Sequence, residues 1–316
     1  MPQAFEALCD FLHRSSGLVM ESSKQYLVES RIMPIVRRER LSGLDELVLI
    51  LQRKQSPSLA KDVIEAMTIN ETYFFRDKSP FDQFRNTLLP ALIASRQKER
   101  KLRIWSAAAS TGQEAYSLAM ILEESAAKIA GWNVEIIGTD LSEQVLEKAR
   151  KGIYSQFEVQ RGLPTAMLLR HFTQMGESWQ ISEALRKKVT FRQLNLLSDF
   201  SSLGRFDMIF CRNVLIYFDT SRKAEILGRM SRSLAPDGFL GLGASESLIG
   251  IKTDFAPHAD QRGIFVRQPA MAPAHSATAQ PAIATPRIET PRPAVGLPAG
   301  FAATAMAAAA RHRTVG

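Results

Sequence analysis

The chain has 316 residues, 45% apolar and 23% charged, which is the balance of a water-soluble globular protein with a substantial core and room for two domains. No run of about 18 uncharged apolar residues could span a bilayer and no basic-then-apolar leader opens at Met1, so the cytoplasm is the expected compartment. The formal net charge is +8, of which four arginines against Glu289 after Gln268 hold +3; the remaining +5 is too mild to require nucleic acid and fits an acidic protein partner.

Cys9 and Cys211 make neither a disulfide framework nor a metal spacing and are expected to be buried thiols, and the five histidines are scattered without ligand spacing, so no metal is expected. Residues 1–75 read as an all-helical domain, with helices over 4–14, 24–40, 44–54 and 59–69. The second helix carries Lys24, Arg31, Arg37, Arg38 and Arg40 beside an apolar side of Leu27, Val28, Ile32, Ile35 and Val36. Lys24, Arg31 and Arg38 are seven apart and would share a face, although Pro34 removes a hydrogen bond and kinks or ends such a helix. A row of charges is by default a solvated face; the functional alternative is a basic ridge that grips an acidic helical substrate. Next, Asn70-Glu71-Thr72-Tyr73-Phe74-Phe75-Arg76 sets polar groups among aromatics, where each needs a partner from protein or ligand. Residues 76–100 form a linker whose helix covers 80–97.

Residues 101–268 read as an α/β domain. An apolar strand over 102–105 breaks at Ser106-Ala107-Ala108-Ala109-Ser110-Thr111-Gly112, a helix opens at Gln113, and a second strand over 134–139 ends on Asp140 before the helix 142–150. Residues of about 154–188 form a small inserted β-subdomain, with a hairpin turning near Gly176-Glu177. The sheet resumes over 189–195, ending on Asn195, and over 206–213, ending on Arg212 and Asn213, with Val214-Leu215-Ile216-Tyr217-Phe218 directly after. A helix over 222–234 is stopped by Ala235-Pro236-Asp237-Gly238, a strand follows over 239–242, and 263–267 closes the sheet as an antiparallel edge. From Pro269 the chain turns Ala/Pro-rich with too little to bury, so 269–316 is expected to be a disordered tail, with 302–310 able to form a transient helix.

Strand, loop, helix, strand, acid leaves a crevice at the carboxyl ends of two parallel strands, and the acid can accept both hydroxyls of a ribose. An adenosine-type ligand follows. A dinucleotide would want G-x-G-x-x-G so that its pyrophosphate could meet bare amides; here there is one glycine, Gly112, and then Glu114. A carboxylate repels a pyrophosphate and attracts a sulfonium or an amino group, and S-adenosylmethionine carries both cations. The bland alternative is a Rossmann-like sheet whose acids only cap helices.

Four motifs in order carry a resemblance: Asn70-x-Thr72-x-x-x-Arg76; Trp105 through Ser117; Gly138-Thr139-Asp140; and Phe210-Cys211-Arg212-Asn213-Val214-Leu215-Ile216-Tyr217-Phe218. Over residues 5–267 the chain resembles the CheR-type chemotaxis receptor methyltransferases. The resemblance implies an N-terminal helical receptor-recognition domain and a class I, Rossmann-like methyltransferase domain with an inserted antiparallel β-subdomain. It implies S-adenosylmethionine as donor, S-adenosylhomocysteine as product, and glutamate side chains on chemoreceptor cytoplasmic helices as acceptors. The residues it assigns to the cofactor are Asn70, Thr72, Arg76, Glu114, Asp140, Asn195, Arg212 and Asn213. Arg76 and Tyr217 would stand nearest the transferred methyl, and Lys24, Arg31, Arg37 and Arg38 would meet the receptor. Gln113 stands where the family commonly has a second glutamate and Ala115 where it commonly has proline. The hairpin looks shorter than in members that tether to a receptor's C-terminal pentapeptide, so tethering is not expected; a monomer is. Two rivals remain: a nucleic-acid methyltransferase, against which stands Arg212-Asn213-Val214-Leu215 in place of Asn/Asp-Pro-Pro-aromatic, and a non-catalytic receptor-binding adaptor that keeps the cofactor as a structural ligand.

Overall fold

In a computed structural model the described residues are 2–268; the expected disordered tail over 269–316 lies outside them. Four helices open the chain: α1 (Pro2–Ser16), α2 (Met33–Arg38), α3 (Leu44–Gln52) and α4 (Pro57–Met67). Asp45 and Glu46 put negative charge at the amino end of α3, and Ser56 caps α4 by accepting the Leu59 amide at 3.3 Å. Leu8, Leu12, Ile32, Leu47 and Val63 are fully buried in a core that these helices enclose themselves.

The single helix expected over 24–40 is corrected. The chain makes a 3-10 turn at Ser22–Lys24, a π turn at Val28–Ile32, and only then α2. Pro34 cannot donate, and its ring crowds the carbonyl one turn back. The helix therefore widens ahead of it, and the Met33 amide reaches five residues back to the Val28 carbonyl. Lys24, Arg31 and Arg38 accordingly do not share one continuous helical face. The helix expected over 80–97 breaks in the same way into α5 (Ser79–Gln83), a π turn (Phe84–Leu88) and α6 (Leu89–Ser95), with the Leu89 amide bonded to the Phe84 carbonyl just before Pro90.

The remaining elements are β1 (Lys101–Ser106), α7 (Gln113–Glu124), β2 (Asn133–Asp140), α8 (Glu143–Lys151), β3 (Ile153–Ser155), α9 (Gln156–Gln160), α10 (Thr165–His171), β4 (Phe172–Met175), β5 (Ser178–Ile181), α11 (Glu183–Arg186), β6 (Val189–Gln193), β7 (Phe206–Cys211), α12 (Thr220–Ser233), β8 (Leu234–Leu242), β9 (Phe255–Pro257) and β10 (Ile264–Arg267). The main sheet has the order β6-β2-β1-β7-β8-β10-β9, parallel through β8. β10 is antiparallel as expected but is not the edge, because β9 pairs outside it. Alternate residues of the central strands feed two cores: Leu102, Ile104, Ile136, Met208 and Phe210 face one, and Trp105, Ile137, Ile209 and Cys211 the other. Helices thus cover both faces.

The helix expected over 222–234 begins at Thr220 because the Asp219 carboxylate accepts the Arg222 amide at 2.9 Å, and the stretch expected to stop it, 235–238, is already part of β8, paired irregularly with β7. The inserted subdomain is a three-stranded sheet of order β3-β5-β4, with the β4–β5 hairpin turning at Gly176-Glu177 and three short helices around it. Cys211 is a buried thiol, pushed up in pKa by that burial; Cys9, expected to be buried, is only half so.

Candidate functional site

The chain order reverses across β1: β2 and β6 are laid on one side and β7 onward on the other. In an open α/β sheet this switch leaves a crevice beyond the carboxyl ends, and a cavity opens there. Asn70, Thr72, Arg76, Glu114, Asp140, Asn195, Arg212, Asn213 and Tyr217 all line it, so the structure brings together every residue expected at the cofactor and the acceptor. Lys24, Arg31, Arg37 and Arg38 do not line it.

Asp140 ends β2 with each carboxylate oxygen accepting one backbone amide, from Ser110 at 2.8 Å and from Ser142 at 3.0 Å. Burial nonetheless pushes its pKa above the usual carboxylate value, those two amides and that of Leu141 pulling the other way. Glu114 lies in the first turn of α7, which the loop can enter only through Gly112 at φ +96°, where a Cβ would stand 2.9 Å from that of Ala149. One Glu114 oxygen accepts the Ser106 hydroxyl at 2.7 Å and the other the Arg212 guanidinium at 2.8 Å. Arg212, expected at the cofactor, is a buried clamp: its second terminal nitrogen donates to the Arg76 carbonyl and to Asp77, each at 2.8 Å. Its Nε, also buried, has no partner among the described residues.

Asn195 lies two residues past β6 rather than on it, and its side chain is engaged by protein: Nδ2 donates to the Ser15 carbonyl at 2.7 Å and Oδ1 accepts the Leu197 amide. It anchors the end of α1 beside the cavity. Asn70 sits in the extended segment after α4, with its amide donating to Thr68 and its carbonyl accepting the Ser110 hydroxyl at 2.8 Å. Arg76 donates to the Glu71 carbonyl at 2.6 Å. Tyr217 is half-buried in a 3-10 turn, its carbonyl accepting the Val19 amide at 3.0 Å, and burial pushes its phenol up in pKa.

Of the four basic residues expected at the receptor, Arg31 donates to the carbonyls of Ala66 and Thr68 at 3.4 and 3.0 Å, and Arg38 pairs with Glu39 and Asp62. Arg37 is exposed and Lys24 partly so. Sequence reading missed Asp77 and Glu246. The signal for Asp77 was an acid directly after Arg76; that for Glu246 was an acid just past the end of a strand, the position that singled out Asp140.

A doubly wound sheet with this crevice and an acid ending its second strand is the arrangement of Rossmann-like domains that bind adenosine-type ligands, the class I methyltransferases among them. Two family descriptions match the chain, "CheR methyltransferase, SAM binding domain" over residues 70–264 and "CheR methyltransferase, all-alpha domain" over residues 3–68. The chain belongs to the CheR methyltransferase family, and S-adenosylmethionine is its cofactor. It is 44% identical over 248 residues to chemotaxis protein methyltransferase 1 of Pseudomonas aeruginosa, covering 77% of this chain and 90% of that one. It is 41% identical to chemotaxis protein methyltransferase Cher2 of Pseudomonas putida, over 78% and 91%, and 41% identical to chemotaxis protein methyltransferase 1 of Vibrio cholerae, over 80% and 92%.

The site's own atoms fit that cofactor. A carboxylate offers about four acceptor positions, and the two amides on Asp140 leave room for two hydroxyls. Glu114, Asp77 and Arg212 together carry one net negative charge, which suits a cationic ligand. Arg212, whose buried Nε has no partner among the described residues, adds positive charge to the same cavity wall. Among the described residues no group of His, Cys, Asp and Glu is arranged to hold a metal.

Proposed function

We propose that the protein transfers the methyl group of S-adenosylmethionine to glutamate side chains on the cytoplasmic helices of chemoreceptors, forming glutamyl methyl esters for adaptation in chemotaxis signalling. The observation that carries this reading is the match to relatives named chemotaxis protein methyltransferase over nine-tenths of their length, together with a cavity whose lining includes Arg76 and Tyr217. The acceptor calls for a cytoplasmic enzyme, and no described helix is long and apolar enough to cross a membrane.

Bound S-adenosylmethionine supplies an already activated methyl group on a sulfonium. Asp140 holds the ribose; Glu114, with Arg212 and Asn70, holds the amino-acid end; and Thr72, Asn195 and Asn213 complete the walls. A glutamate carboxylate is ionised near neutral pH, so no group of the protein need remove a proton. Arg76 pairs with the acceptor carboxylate and aims one oxygen at the methyl carbon. Tyr217, kept neutral by burial, donates a hydrogen bond near the reacting centre. Catalysis is then alignment in a site closed to water, and orientation of this kind is worth roughly 7–11 kcal/mol at its upper limit. Outside the cavity, Lys24, Arg31, Arg37 and Arg38 meet the acidic helices of the receptor.

The test is transfer of labelled methyl from S-adenosylmethionine to receptor-containing membranes, with the label released as methanol by mild base. Label that stays on the receptor after base, or no label on any receptor, overturns the reading.

A further inference from the structure

The loop Asn213-Val214-Leu215 leaves the end of β7 and turns straight into the 3-10 turn Leu215–Tyr217. Asn213 adopts φ +58°, a left-handed conformation rare for a residue with a side chain. Such a bend points successive amides into one concavity, which favours an anion. A single carboxylate fills it. Glu246 Oε2 accepts the amides of Asn213 at 2.9 Å and Gly243 at 2.7 Å, and Oε1 accepts those of Val214 at 2.9 Å and Leu215 at 2.8 Å. All the acceptor positions of the carboxylate are then used. Gly243 is what allows the approach, since a Cβ there would lie 2.9 Å from Glu246 Oε2 and 3.0 Å from the Asn213 nitrogen. Glu246 does not line the cavity, whereas Asn213, Val214 and Tyr217 do.

We propose that Glu246 is a positioning residue for methyl transfer: its carboxylate fixes the bend at Asn213 and thereby the place of Tyr217 in the cavity wall. The inference rests on the role of Tyr217 proposed above. The carboxylate touches neither donor nor acceptor, so its loss should act more on turnover, through Tyr217, than on cofactor affinity, through Asn213.

The experiment compares wild type, Glu246→Gln and Glu246→Asp for kcat and KM with receptor-containing membranes, for S-adenosylhomocysteine affinity by calorimetry, and for hydrogen exchange over 213–217. Glu246→Gln turns an NH₂ group toward amides that need an acceptor. It should lower kcat at least tenfold, weaken S-adenosylhomocysteine binding by a smaller factor, and speed exchange over 213–217 and at Gly243, which share its oxygens, while Glu246→Asp, which keeps the charge, recovers part of the loss. A kcat within tenfold of wild type in Glu246→Gln overturns the proposal, as does a loss matched by an equal loss of S-adenosylhomocysteine affinity. Should Tyr217→Phe prove fully active while Glu246→Gln is slow and locally deprotected, the role of Tyr217 fails and the positioning of the loop stands. Should the wild type label no receptor, the glutamate reading fails, and unchanged exchange over 213–217 in Glu246→Gln would then overturn the positioning.

Discussion

Arg212 and Glu114 meet at 2.8 Å with 1% and 10% of their side chains exposed, and the same guanidinium holds the backbone of Arg76 and the carboxylate of Asp77. One side chain from the end of β7 therefore fastens the helix at the cofactor end of the cavity to the turn that carries Arg76. That turn is unfavourable by itself: Phe75, Asp77 and Lys78 sit at φ +53°, +66° and +47°, each costing about 1–2 kcal/mol for a residue with a side chain. The clamp offsets that strain.

The clamp predicts an order of effects. Asp77→Asn keeps the turn's shape and leaves Arg212 paired with Glu114, so it should cost about 1 kcal/mol after allowance for the partial exposure of Asp77. Arg212→Ala strands two acids at once and should cost about 3–5 kcal/mol. Urea melts of the two variants check this; equal losses would mean that Arg212 is not the shared element.

Arg31 and Arg37 are expected to part company. Arg37→Ala removes an exposed charge, so KM for receptor should rise severalfold, less so at high salt, with kcat unchanged. Arg31 instead bonds to the carbonyls of Ala66 and Thr68 at the start of the segment that carries Asn70 and Thr72. Arg31→Ala should therefore also weaken S-adenosylhomocysteine binding. Steady-state kinetics with calorimetry separates them, and an Arg31→Ala variant with wild-type cofactor affinity would return Arg31 to a purely docking role.

What could be seen in the sequence follows from how local each cause is. Asp140 and Glu114 were legible because a strand ending in an acid and a glycine-entered helix are short-range patterns, and the nearly continuous apolar runs of β1, β2 and β7, buried on both faces, made the sheet legible too. The π turn ahead of Pro34 was legible only as a disturbance, and the one ahead of Pro90 was not read at all: a proline announces that a hydrogen bond is lost, not how the chain reroutes it. Asp77 and Glu246 escaped because their meaning lies in left-handed backbone at Phe75, Asp77 and Asn213, positions held by contacts across 135 and 31–33 residues of sequence. Asn195 was legible as a site residue, but its bond to Ser15, 180 residues away, was not.

Tyr217 has a phenol raised in pKa by burial, so it remains a neutral donor throughout the working range. Tyr217→Phe should lower kcat about tenfold to a hundredfold, the range for loss of one positioned donor or somewhat less, with cofactor affinity intact. Ionisation of Tyr217 should not reduce wild-type activity below its ordinary value of about pH 10. A Tyr217→Phe enzyme with undiminished kcat would take the phenol out of the mechanism.

Asp140 gives the prediction with a definite sign in pH. Burial raises its folded-state pKa above the unfolded value, so the stability linked to it is fully present below the ordinary carboxylate pKa and is lost as pH rises through the raised value. At neutral pH the ionised group is thus a net cost to the ligand-free fold, tolerated for what it binds. Asp140→Asn removes that cost but also one accepted amide bond, and the two should offset to within about 1 kcal/mol in ligand-free melts. Ligand binding should respond quite differently. The variant should bind S-adenosylhomocysteine about a hundredfold more weakly, near 2.7 kcal/mol, and lose most of the rise in Tm that the ligand gives wild type. In wild type the same affinity should fall on acidification while ordinary carboxylates are still ionised, because Asp140 protonates first. Calorimetry across that range decides it: an affinity that stays flat until carboxylates in general titrate, or an Asp140→Asn protein that binds as tightly as wild type, would leave the acid at the end of β2 without a role at the ribose.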